Sequence, residues 1–168
     1  MKAATRCASL AILTLFLVTV FTDGRTMAEN YTMQPVGTVV KSSGKASIAI
    51  LPPFRDALLG MEGFSHLIVL YWFDRNDTPE KRATLRVHPR ADKNNPLTGV
   101  FATRSPRRPN LIGLAVCKIK AVEKDRIVID AIDAFDQTPV IDIKPYIPVS
   151  DCVPDATVPW WVGGKDDR

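Results

Sequence analysis

The sequence predicts a mainly β domain, a small barrel or sandwich, on three observations. Seven or eight short apolar runs alternate with turn-forming segments, as expected of short antiparallel strands. Only one stretch reads as helical, and it is brief. Pro145, Pro148, Pro154 and Pro159 disfavour a long helix near the C-terminus, which is therefore irregular. At 168 residues and 46% hydrophobic content the chain suits one domain with an ordinary core.

Residues 34–41 (QPVGTVVK) and 45–51 (KASIAIL) read as two strands of a hairpin turning at Ser42-Ser43-Gly44. Pro52-Pro53 followed by FRDALLG gives one or two helical turns, with proline in the first turn and Gly60 or Gly63 as the stop. Leu67 to Phe73 (LIVLYWF) is continuously apolar and rich in β-branched and aromatic residues, which predicts a strand buried on both faces. Charged residues crowd from Asp74 to Arg82 as an exposed loop. A short strand follows near Leu85 to His88, then a turn from Asp92 to Pro96.

Gly99 to Thr103 reads as a short strand that feeds a segment with three arginines and two prolines. Pro106 and Pro109 fix their own φ and extend the preceding residue, so Arg104, Arg107 and Arg108 sit on a stiff ribbon. Residues 112–122 and 126–132 form the clearest hairpin, around Glu123-Lys124-Asp125, and Pro139 to Ile143 adds a strand. Trp160 and Trp161 are expected to pack on a surface or a partner subunit.

The first residues stand apart. Lys2 and Arg6 precede an apolar run of 14 residues, Ala8 to Phe21, and polar residues follow. That is the layout of a secretory leader with a cut after Ala28. The run is short of the roughly 20 residues a membrane span needs, so no stable span is expected. The competing reading starts the protein at Met27 and leaves it in the cytoplasm; a true leader sends it to the periplasm or out of the cell. Cys7 belongs to the leader and Cys117 to an apolar strand, as a buried free thiol. A Cys117 to Cys152 disulfide requires export.

The formal charge of +4 is unevenly spread: residues 81–120 hold ten Lys or Arg against one acidic residue, and residues 121–168 hold five against ten. Such a basic stripe suits a polyanion such as RNA. No G-x-G-x-x-G or P-loop pattern occurs, which excludes Rossmann and Walker sites. The two histidines, His66 and His88, lack zinc-site spacing, and three scattered cysteines do not suit an iron–sulfur cluster. No metal is expected. Ser65 and His66 are adjacent, and strand alternation predicts that they do not pair.

Four stretches carry a resemblance: GVFATRSPRRPNLIGL (Gly99 to Leu114), EGFSHLIVLYWF (Glu62 to Phe73), VHPR (Val87 to Arg90) and DQTPVIDIKPYIP (Asp136 to Pro148). Over about residues 35–155 the chain resembles the TsaA-like (TrmO) family, whose characterised members use S-adenosylmethionine to methylate N6-threonylcarbamoyladenosine at tRNA position 37. The resemblance implies a single-domain β-barrel that forms a homodimer, with residues 1–28 as leader or misassigned start, 34–155 as barrel and 156–168 as tail. It also implies an S-adenosylmethionine site from Asp74, Arg75, Arg104, Leu114, Asp130, Ala131, Ile132 and Asp133. Arg104 is the match suited to the donor's carboxylate. Asp136 matches the aspartate of the family's DGTP motif and is the candidate base or substrate-orienting group. Arg86, Arg107, Arg108 and Lys118 are candidates for tRNA phosphates, and Tyr146 for stacking on a base.

Three features depart from the family pattern. Asp74-Arg75 stands where the family has His, Gln137 replaces a glycine, and the tight Val40 to Lys45 turn leaves out a PRQ segment, as in the family's short members. The alternative is an exported, non-enzymatic module that binds S-adenosylmethionine or a nucleotide on the same fold.

Overall fold

The computed structural model describes residues 31–162. Its architecture lies in one unit, Met33–Arg168, and the separate unit Met1–Thr32 falls almost wholly outside the described residues. The leader, its cut after Ala28, the Met27 start, Cys7 and residues 163–168 of the tail also lie outside them. Among the described residues no helix is long and apolar enough to cross a membrane.

Six strands close a barrel in the order β1-β2-β7-β6-β3-β8. They are β1 (Gly37–Ser42), β2 (Lys45–Ile50), β3 (His66–Trp72), β6 (Ile112–Val122), β7 (Arg126–Ile129) and β8 (Pro139–Pro145). Two short strands outside the barrel, β4 (Arg86–Val87) and β5 (Thr98–Gly99), pair with each other. Every barrel pairing is antiparallel. Closure removes the free edges that would otherwise recruit another chain.

Alternation fixes which side chains fill the barrel. Val39, Ile48, Leu67, Val69, Ile127 and Val140 are all fully buried, and each contributes about 1.5–3 kcal/mol on leaving water. In β3 the inward set is Leu67, Val69 and Tyr71, while Ile68, Leu70 and Trp72 are half-buried. The expectation of equal burial on both faces is thus corrected, because nothing in the barrel covers the outer face completely.

The β1–β2 turn is the tight one expected, with Ser43 at φ 49° and Gly44 at φ 73°. The expected short helix is a 3-10 segment, Pro52–Leu58, and two α-helices of four residues each occur elsewhere, α1 (Pro79–Arg82) and α2 (Pro148–Asp151). The charged Asp74 to Arg82 segment is ordered rather than an open loop. Thr78 Oγ1 caps α1 at 3.3 Å, and Asp77 accepts hydrogen bonds from Trp72 Nε1 and Arg82 Nε.

The expected strand from Gly99 to Thr103 shrinks to β5. Val100–Ala102 winds into a 3-10 turn instead, closed by the Thr103 amide on the Val100 carbonyl at 3.1 Å. Ser65 and His66 also depart from expectation: Ser65 Oγ and His66 Nδ1 lie 2.9 Å apart. Ser65 stands just before β3 begins, so strand alternation does not govern the pair. Cys117 is buried, Cys152 is exposed, and both are free thiols.

The barrel seam lies between β1 and β8, which pair directly at only two positions. The segment before β8 extends it. Gln137 N donates to Val39 O, Val39 N to Thr138 O, and Lys41 N to Asp136 Oδ1 at 2.7 Å. Gln137 adopts φ 68°, the left-handed conformation that a glycine holds freely.

Candidate functional site

One cleft of about 710 Å³ opens beside the ends of β3 and β6. Its walls come from four separated segments: the exit of β3, the arginine loop, the start of β6, and residues 131–135 after β7. The local packing is tight. Gly113 faces Tyr71 across the β3–β6 ladder, and a Cβ there would stand 2.5 Å from the Tyr71 ring. Opposite Leu70 and Tyr71 the register shifts so that Ile141 of β8 is an extra residue, a bulge that bends β8 at this point. Tyr71 Oη then donates to Asp133 O at 3.0 Å, tying the 131–135 segment to the barrel.

Burial raises the Tyr71 hydroxyl above its ordinary value, with the neighbouring Asp133 charge adding to the shift and Arg104 opposing it. Tyr71 is therefore a neutral donor, and Asp133 and Arg104 both act on it. The Arg75 guanidinium lies over the Phe135 ring at 4.1 Å, a cation–π contact that holds both side chains at the cleft wall. Phe73 packs edge-on against Tyr71 at 5.4 Å.

Of the residues expected to hold the donor, Asp74, Arg75, Arg104, Leu114, Ala131, Ile132 and Asp133 all line this cleft. Asp130 does not. Its carboxylate accepts the amides of Ala131 at 2.7 Å and Lys118 at 3.0 Å, and the Ala131 bond leads in holding it below the usual range. Asp130 thus ties the β6–β7 pairing where the register slips at Ile119/Ala121. The same charge and, above all, burial push the Cys117 thiol up to about 11, which makes it an unreactive core group.

Asp136 also lies outside the cleft lining. Its carboxylate is held below the usual range first by the Lys41 backbone N–H. A carboxylate so engaged helps close the seam, and the amide that stabilises its charged form weakens it as a proton acceptor.

A second, broader cleft of about 1340 Å³ adjoins the first, sharing Thr103, Arg104, Pro106 and Asp133 with it. Arg86 and Arg107 line it, so the structure brings those two expected phosphate ligands together. Arg108 belongs instead to the first cleft and donates to Thr103 O at 3.2 Å. Lys118 and Tyr146 line neither. Lys118 is paired across to His66 on β3, and Tyr146 packs edge-on against His66 at 6.3 Å, which gives its ring a structural neighbour.

Sequence reasoning did not single out Tyr71, Gly113, Phe135 or Phe101 as site residues. Phe135 had a signal, an aromatic lying between Asp133 and Asp136 in a turn, where burial is hard to achieve. Gly113 had none, because its need comes from a ring on another strand.

Comparison with known proteins bears on the family and the fold. Residues 25–152 match the family model for the tRNA-methyltransferase O N-terminal domain. A probable S-adenosyl-L-methionine-binding protein of Methanocaldococcus jannaschii is 47% identical over 122 residues, which is 73% of this chain and 97% of the relative. The tRNA (adenine(37)-N6)-methyltransferase of Escherichia coli is 39% identical over 121 residues, 68% of this chain but 51% of the enzyme. The crystal structure of TrmO from Pseudomonas aeruginosa superposes with a TM-score of 0.59 at 30% identity, covering 77% of this chain and 62% of that one. This chain therefore spans about half of the E. coli enzyme and under two thirds of the solved TrmO chain. With three quarters of its length matched and its barrel shared, the chain belongs to the TrmO family.

Proposed function

We propose that this protein is an S-adenosylmethionine-dependent methyltransferase acting on N6 of the adenosine at position 37 of tRNA, with N6-threonylcarbamoyladenosine as the substrate base. The observation that carries the reading is the first cleft. Its volume suits a nucleoside-sized ligand, and it gathers three guanidinium groups, two carboxylates and the rings of Tyr71, Phe73 and Phe135. That mixture fits a donor that bears a carboxylate, an ammonium and a sulfonium. Arg104 would pair with the carboxylate, and Asp74 and the aromatic faces would accommodate the cationic groups.

S-adenosylmethionine, when bound, supplies a methyl group made electrophilic by its sulfonium. The chain's own part is positioning and proton handling. Arg104, at the junction of the two clefts, would fix the donor end that faces the substrate. Asp133 shares that junction and is our candidate to accept the proton lost by the attacking nitrogen. The half-buried apolar wall around Ile112 and Ala115 would limit water at the reacting atoms.

The same reading makes tRNA the partner and the cytoplasm the location. A homodimer is part of it: Leu114 and Val116, in the wall of the first cleft, leave an exposed apolar strip on β6, and a second copy covering it would border the donor site. The alternative is a binding module that uses the same cleft and needs no proton acceptor.

Calorimetric titration of S-adenosylmethionine, with Arg104→Ala beside the native protein, tests the site. Saturable binding is expected, and the mutant should lose about ten-fold or more in affinity. Methyl transfer to tRNA carrying or lacking the threonylcarbamoyl group then tests the reaction. Folded protein that binds no donor would overturn the site; donor binding without transfer would leave the binding module.

A further inference from the structure

The second cleft differs from the first in charge and in what its aromatic groups are doing. Arg86, Arg90, Lys93, Arg104 and Arg107 line it against a single carboxylate, Asp133. That imbalance selects a polyanion and not a zwitterion. Phe101 also lines it and is 81% exposed. A lone exposed phenylalanine needs no explanation, but this one is carried on a fixed turn amid the cations. Val100 N donates to Leu85 O, and both the amide and the hydroxyl of Thr103 donate to Val100 O.

The surroundings of Phe101 are ordered as well. Trp161, half-buried, lines the same cleft. The segment carrying it is tied down where Arg90 Nη2 donates to Val162 O at 2.6 Å. Arg90 and Ala91 both hold positive φ, 58° and 56°. That bend is braced by Asn95, whose side chain donates to Pro89 O and whose carbonyl meets His88 Nδ1 at 2.8 Å. Strain held by several hydrogen bonds points to a shape that is needed.

We propose that this cleft binds a single-stranded RNA segment, stacking one base on Phe101 and setting adjacent phosphates against Arg86 and Arg107. A ring that stacks needs an unstacked base, which a duplex hides and an acidic peptide lacks. The base beyond the stacked one then reaches the shared wall of Thr103, Arg104 and Asp133. The inference rests on the methyltransferase reading only for that last step, since the stacking and charge pairing stand without a donor.

Fluorescence anisotropy of the full chain with a labelled single-stranded oligoribonucleotide of about eight nucleotides tests it. Phe101→Ala should weaken binding about ten-fold, and Phe101→Trp should restore it. Replacing Arg86 and Arg107 together by Gln should reduce the slope of log affinity against log salt by about 1.4. A matched RNA duplex should bind more weakly and ignore Phe101. Far-UV circular dichroism and a thermal melt of Phe101→Ala beside the native protein report whether the variant is folded. Single-strand affinity unchanged in folded Phe101→Ala, or displacement of the oligonucleotide by polyglutamate as readily as by unlabelled RNA, would overturn the inference. If the native protein binds no donor yet its RNA binding depends on Phe101, the methyltransferase reading falls and this one stands. If donor binds and RNA ignores Phe101, this inference falls alone.

Discussion

Gln137 shows what a single residue contributes to this fold. Its φ of 68° lets the chain turn so that its own amide reaches Val39 O while Asp136 reaches Lys41. A side chain in the left-handed region is unfavourable by about 1–2 kcal/mol, whereas glycine adds about 0.4–1 kcal/mol of entropy to the unfolded chain. The first effect is larger. Gln137→Gly is expected to raise stability by roughly 0.5–1 kcal/mol, read in calorimetry as a gain of about 2–4 °C per kcal/mol. A lower Tm would show that the side chain does more than tolerate the turn. This position was legible in the sequence, because a glycine-bearing motif carried Gln there. Arg90 and Ala91 were not legible: no Gly or Asn marks their positive φ, which is imposed by Asn95 from outside the turn.

At the scale of elements, legibility followed burial. The apolar run from Leu67 was readable as the central strand because β3 is paired on both sides along almost its whole length. The run from Gly99 was misread, since Val100 N is claimed by Leu85 O and the chain curls away after two paired residues. The β3–β6 ladder carries its own test. A Cβ at Gly113 would meet the Tyr71 ring, which in turn holds Asp133 O. Gly113→Ala is expected to cost about 1–3 kcal/mol through overpacking, measured by urea denaturation, and to weaken donor binding as the Tyr71 hydroxyl shifts. Gly63→Ala, with nothing within 4 Å, is the control and should change neither.

At the scale of the molecule, the clefts exist only because a closed barrel brings residues 71–76, 103–108 and 131–135 together. Motif matching named many of these residues; only closure order separates Asp133, in the cleft, from Asp130 and Asp136, in the ladder and seam. That separation has a measurable consequence in acid. Asp130 and Asp136 are both held below their ordinary value of 3.8 by backbone amides. A depressed folded value means that the carboxylate's contribution is fully present above the unfolded value and is lost as pH falls through the folded one. Stability should therefore decline below about pH 4, and Asp136→Asn, which keeps an acceptor for Lys41 N–H but loses the charge, should flatten that acid limb. Thermal melts from pH 3 to 7 measure it. The same variant divides the two roles of Asp136: a seam residue lowers neutral-pH stability while methyl transfer by the folded fraction persists, whereas a base abolishes transfer with the melting curve unchanged. The Lys41 bond favours the first outcome, and Asp133→Asn is the substitution expected to remove turnover while donor affinity falls far less.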